Sequence, residues 1–179
     1  RGVLMLSVVV LGIGDAAAAI VGETLPKPRF LPLGTDRKSL EGSLTMFAVS
    51  FVLVFLLLPV VDGVQGLTVP PGRSALIALV TALTAAALES ISRAGSDNLT
   101  APLGAALCLH IYLNAPAAVQ ARFTLAVGLA LITAAGSYAA GFLSAGGSIG
   151  TFILAIAVFG TGGWPWALPI LTFFILSSL

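Results

Sequence analysis

Charge is what this sequence has least of. Only 8% of its 179 residues are Asp, Glu, Lys or Arg, whereas 58% are hydrophobic and the mean hydropathy is +1.10. A water-soluble domain must cover its outside with polar groups, so the composition excludes that class and makes lipid the expected solvent. The single cysteine, Cys108, excludes an internal disulfide and a multi-thiolate metal site, and reads as a small packing residue. The single histidine, His110, has no companion ligand, so a packed or pore-facing role comes before a metal. A net charge of +1 does not by itself argue for or against nucleic acid; no such partner is expected, and the distribution of charge is what informs.

That distribution is uneven. Gly14 to Ser43 holds Lys27, Arg29, Arg37 and Lys38 together with Asp15, Glu23, Asp36 and Glu41, which is half of all basic residues and more than half of the acidic ones. Around this stretch the chain reads as an all-α, polytopic transmembrane bundle of about six to seven spans. Spans are expected over Val3–Gly22, Ser43–Val61, Ser74–Leu88, Leu99–Leu113 and Phe123–Leu143, followed by a turn at Ser144–Ser148 and apolar segments at Ile149–Phe159 and Trp166–Leu179. Glu23–Gly42, broken by Pro26, Pro28, Pro32 and Gly34, reads as a loop. Trp164 and Trp166 suit a membrane interface. An Arg at position 1 and an apolar run reaching Leu179 are what a piece of a longer protein would show. A secretory-signal reading of Arg1 to Ala19 is opposed by Asp15 in its apolar core.

Asp15 stands out chemically. It lies about 10 Å along the helix axis from the end of its span, where an ionised carboxylate costs on the order of 3 kcal/mol if it faces lipid. It should therefore face protein or a polar cavity, either as a functional group or as a packing contact. The glycines Gly12 and Gly14 before it imitate a dinucleotide-binding turn, but no strand and helix flank them in a βαβ unit.

Counting crossings places the segments at 23–42 and 89–98 on one side of the membrane and those at 62–73 and 114–122 on the other. The first side carries Lys27, Arg29, Arg37, Lys38 and Arg93, the second Arg73 and Arg122. By the positive-inside rule both charged loops are cytoplasmic. The sequon Asn98-Leu99-Thr100 would then face the cytoplasm, which argues against glycosylation.

Two polar loops on one face are able to enclose a site. Arg37 and Lys38 supply fixed positive charge suited to a polyphosphate, and Glu41, Gly42 and Ser43 lie where a helix begins, with free N–H groups that favour an anion. Glu89 and Asp97 on the second loop, with Asp15, form a set of carboxylates suited to Mg²⁺ beside phosphate oxygens. Such a set fits phosphoryl transfer, where catalysis is positioning and neutralisation of charge. A charged collar that only sets topology accounts for the same residues.

The runs GDAAAAIVG, DRKSLEGS, ALES and SDNLTAP, taken together, resemble the polyprenol kinase family of phytol and dolichol kinases over roughly residues 8–138. The resemblance implies an integral, multi-pass membrane kinase that uses a nucleoside triphosphate, usually CTP, to phosphorylate a long-chain isoprenoid alcohol such as phytol or geranylgeraniol. It implies a role for Asp15 as the acidic position of the first helix, a loop of Lys38, Glu41, Gly42 and Ser43, and further elements at Glu89, Asp97, Asn98 and Thr100. On this reading Asp15 and Lys38 are catalytic. Arg37, Lys38, Glu41, Gly42, Ser43, Asn98 and Thr100 contact nucleotide, and Asp15, Glu89 and Asp97 hold Mg²⁺. Residues 1–138 would form this domain, while 139–179 resemble the start of a second, phytyl phosphate kinase-like membrane domain. Two other functions remain open: a cytidylyltransferase that makes CDP-lipid, and a small proton- or ion-coupled transporter using Asp15, Glu89 and His110. The oligomeric state is not legible.

Overall fold

The structure, a computed structural model, describes residues 1–24, 29–33, 36–64, 69–92 and 95–177. Its elements in chain order are helix α1 (Gly2–Thr24), strands β1 (Arg29–Leu33) and β2 (Asp36–Ser39), and helices α2 (Leu40–Val64), α3 (Pro71–Ile91), α4 (Asp97–Asn114), α5 (Ala117–Ala139) and α6 (Ala145–Ala155). A π-helical turn, Ile156–Thr161, continues α6, and α7 spans Trp164–Ser177. The described residues are thus all-α apart from one pair of strands. It forms two compact units, Arg1–Leu113 and Asn114–Leu179. The expected domain boundary at 138/139 falls within the last turn of α5, inside the second unit.

Among the described residues, four helices, α1, α2 (over Leu40–Val60), α3 and α5, are long and apolar enough to cross a membrane. Helix α4 reaches 18 residues but carries Asp97, Asn98, His110 and Asn114, and Ala145–Thr161 is shorter. The outward faces are as apolar as the inward ones. Leu4, Met5, Val8, Ile13 and Ile20 of α1 and Leu44, Val52, Leu56 and Val60 of α2 are all exposed. In water this would be an aggregation surface; in hydrocarbon it costs nothing.

What α1 and α2 bury is a stripe at four-residue spacing. On α1 it comprises Leu6, Val10, Gly14 and Ala18, and on α2 Gly42, Met46, Ser50, Val54 and Leu58. Rows at i and i+4 are the ridges by which helices interdigitate, and glycine within them lets backbones approach. A Cβ on Gly14 would lie 2.7 Å from Met46 Sδ, and one on Gly42 would lie 3.1 Å from the Ala18 carbonyl oxygen. Helix α3 packs against α2 and is the most buried of the candidate spans, with a face of Ala78, Thr81, Ala82, Ala85 and Ala86. Helix α4 meets α3 where Cys108 Sγ lies 3.4 Å from Thr84 Oγ1 and Gly104 faces Leu88.

The segment expected as a loop at Glu23–Gly42 contains antiparallel strands instead, with Leu33 opposite Asp36, Pro32 opposite Arg37 and Leu31 opposite Lys38. Two further boundaries shift. The expected turn at Ser144–Ser148 is the start of α6, because Ser144 Oγ accepts from the Gly147 N–H and caps the helix. The chain reverses just before it, at Gly141 with φ +73°. The expected link at Asn114–Arg122 is largely helix, since α5 begins at Ala117.

Candidate functional site

The hairpin carries Lys38 over the ends of α3 and α4. There its Nζ donates to Glu89 Oε1 at 2.6 Å and to Asp97 Oδ2 at 3.0 Å. Glu89 occupies the last turn of α3 and is only 5% exposed, while Asp97 is the first residue of α4. A carboxylate at a helix N-terminus is favoured by the helix dipole, which accounts for Asp97 at that place. Burial disfavours the Lys38 ammonium, but hydrogen bonds and charge from Glu89 and Asp97 outweigh it and hold its pKa above the ordinary lysine value.

Asp15 reaches the same place from α1. Oxygens of Asp15, Glu89 and Asp97 all lie within 4.8 Å of one another. Gly14, the residue before Asp15, is pressed on Met46 of α2, so the helix bearing this carboxylate is held close to the unit's other helices. Three carboxylates close together, two of them bonded to one ammonium, leave a formal excess of negative charge. That is the electrostatic setting of a cation site. Carboxylate oxygens are the donors that Mg²⁺ takes, one or two beside phosphate oxygens and water, so the chemistry of this set suits such an ion.

A layer of hydroxyls lies behind Glu89. Ser43 Oγ donates to Glu89 Oε2 at 3.5 Å, and Ser90 Oγ lies 2.8 Å from Ser43 Oγ. Ser92 Oγ and Thr100 Oγ1 are 2.8 Å apart and tie the end of α3 to the start of α4. Thr100 also donates to the Ser96 carbonyl at 3.1 Å. The Asn98 N–H donates to Asp97 Oδ1 at 3.1 Å, and the residue is exposed.

Of the expected set, the fold brings together Asp15, Lys38, Ser43, Glu89 and Asp97. Glu41 is half-buried in the first turn of α2, and its carbonyl accepts from Thr45 Oγ1 at 2.7 Å. The Arg37 backbone lies in β2 opposite Pro32, while its side chain lies outside the described residues. The expectation of free N–H groups at Gly42 is corrected: that N–H donates to Ser39 Oγ at 3.1 Å. Gly42 is also a close-packing residue, with Gly22 Cα 3.7 Å from where its Cβ would stand. The sequence alone does not single out Ser39 or Ser90. Ser39 carries the ordinary signal of a helix cap, a serine just before an apolar helix. Ser90 offers only its place beside Glu89.

Comparison with known proteins finds a likeness over part of the chain. A phytol kinase of Synechocystis sp. is 38% identical over 102 residues, which cover 57% of this chain and 41% of that protein. The chain resembles the phytol kinases. The match spans about two fifths of the length of this phytol kinase. No family model matches the sequence, and no solved structure matches the chain.

Proposed function

We propose that this chain is the phosphorylating part of an integral membrane kinase that transfers the terminal phosphate of a nucleoside triphosphate, CTP by preference, to a long-chain isoprenoid alcohol. The observation that carries this reading is the meeting of Asp15, Glu89 and Asp97, from three helices, within 4.8 Å of one another, with the Lys38 ammonium bonded to Glu89 and Asp97. The likeness to a phytol kinase supports the acceptor class.

The apolar tail lies among the helices, whose outer faces match it, and the hydroxyl reaches the polar end of the unit on the cytoplasmic side. Asp15 accepts the hydroxyl proton as the oxygen attacks phosphorus, the bond to the leaving diphosphate breaks, and that diphosphate keeps the electron pair. Lys38, with Arg37 beside it in β2, neutralises the polyphosphate. On nucleotide binding the Lys38 ammonium exchanges part of its carboxylate contacts for phosphate oxygens, so Glu89 and Asp97 become available. Asp15, Glu89 and Asp97 would hold Mg²⁺, which when bound supplies charge neutralisation at the phosphates. Glu41, Gly42, Ser43, Asn98 and Thr100 border the nucleotide.

The test is CTP-dependent formation of prenyl monophosphate from phytol or geranylgeraniol in membranes carrying the chain. Asp15→Asn and Lys38→Ala are each expected to lower turnover by on the order of 100-fold or more. Unchanged turnover in both variants sinks the assignment. Release of pyrophosphate in place of CDP would reassign the chain as a cytidylyltransferase. The transport reading is disfavoured by His110, which stands thirteen residues along α4 from Asp97, roughly 20 Å along the axis.

A further inference from the structure

Arg122 is the single charged residue between Asn114 and Leu179. It lies near the start of α5, and Nη2 donates to the Thr161 carbonyl at 3.1 Å, at the end of the π-helical turn. The guanidinium also lies against Gly163, where an added Cβ would be 3.4 Å from Nη1. Its Nε is buried and has no hydrogen-bond partner among the described residues. A guanidinium offers five N–H donors and a full charge, and one carbonyl answers little of either. No carboxylate of its own unit is available to complete the match, because the sequence there contains none.

Beside this cation the same unit holds a cavity of about 280 Å³, lined by residues that include Ala126, Ala130, Leu154, Val158, Phe159 and Trp164. Ala126 follows Arg122 by one helical turn on α5, and Trp164 follows Gly163 directly. Trp164 meets Phe159 edge to face, with ring centroids 4.8 Å apart. Thr133 and Thr151 also line the cavity, and the Thr151 hydroxyl donates to the Gly147 carbonyl at 2.9 Å, while the other ten lining residues are aliphatic or aromatic. The interior is therefore apolar, and its size is close to the lower end of small-molecule sites, room for part of one hydrocarbon chain. π-Helical turns, moreover, concentrate at functional sites.

We propose that the unit from Asn114 to Leu179 binds one anionic phospholipid, with its phosphate on the Arg122 guanidinium and one chain in the cavity beneath Trp164. A planar guanidinium is the side chain best matched to phosphate oxygens, and an indole beside it suits the boundary between headgroups and hydrocarbon. The inference rests on the membrane reading given above and is independent of the kinase chemistry.

The whole chain, purified in detergent, is to be examined by native mass spectrometry and thermal unfolding with phosphatidylglycerol, phosphatidylcholine or inorganic phosphate added. Phosphatidylglycerol should be retained at least about tenfold better than phosphatidylcholine and should raise the unfolding temperature, and inorganic phosphate alone should not. Arg122→Gln should abolish the preference, while Ala130→Phe, which fills the cavity and keeps the cation, should reduce retention of both lipids. Should Arg122→Gln fail to fold, Ala130→Phe decides alone. Equal retention of the two lipids by the unaltered chain, full retention by either variant, or stabilisation by inorganic phosphate equal to that by lipid overturns the proposal. Extraction of the chain from membranes by alkaline carbonate would instead overturn the membrane reading itself.

Discussion

The Lys38 ammonium lies 2.6 Å from Glu89 Oε1, and the two residues are 51 positions apart in the chain. Lys38 is carried by a hairpin strand and Glu89 by the last turn of a largely buried helix, so the pair pins the hairpin to the helical unit. A second bond, to Asp97 at 3.0 Å, extends the contact to a third element.

Breaking that pair from one side should cost more than removing it whole. The Lys38 and Glu89 side chains are 22% and 7% exposed, so Lys38→Ala leaves a nearly buried carboxylate without its main partner, at a cost of about 1–3 kcal/mol. The double variant Lys38→Ala with Glu89→Gln should recover part of this loss. Thermal unfolding of the two single variants and the double one in a single detergent measures the coupling, and simple additivity counts against the pairing.

Because the folded pKa of Lys38 is raised, its contribution to stability is fully present below the ordinary lysine value of about 10.4 and is lost as pH rises through the higher folded value. At pH 8–10 the amine should therefore be more protonated than a free lysine, and slower to react with an acylating reagent. Glu89→Gln should speed that reaction. Competitive labelling read by mass spectrometry checks both the sign and its cause.

Two glycines should respond oppositely to alanine. In a helix interior Gly→Ala ordinarily gains about 1 kcal/mol. At Gly128, where an added Cβ meets nothing within 4 Å, that gain should appear. At Gly42 the Cβ would come within 3.1 Å of a backbone carbonyl oxygen, so α1 and α2 must separate and a net loss of about 1 kcal/mol is expected. Equal effects at the two sites would show that the α1–α2 approach is looser than described.

Divalent-cation binding gives a readout separate from turnover. With Mn²⁺ as the probe, Asp97→Asn and Asp15→Asn should each weaken binding by about tenfold, a loss of roughly 1.4 kcal/mol. Thr133→Val, in the other unit, should leave it unchanged. Equal binding by all four proteins removes the metal from the proposed site.

Much of the architecture was legible because long apolar runs and their interruptions follow from solvent alone. The spans over α1, α2, α3 and α5 needed no more than length and hydropathy, and the carboxylate at Asp15 was conspicuous because charge is costly in such a run. The hairpin was hidden by its prolines, and the start of α6 by glycines that a serine cap made helical.

By itself the sequence determined the solvent, the helical class and the chemical types available to a site, since each depends on composition and local spacing. Which helix faces meet could not be read from it. These helices are apolar on every side, so hydrophobic periodicity does not distinguish the buried face, and close packing of Gly14, Gly42 and Gly104 decides it. That packing also brought Lys38 to Glu89 and Asp97, because contacts across 51 and 59 residues depend on how helices approach and not on any local preference.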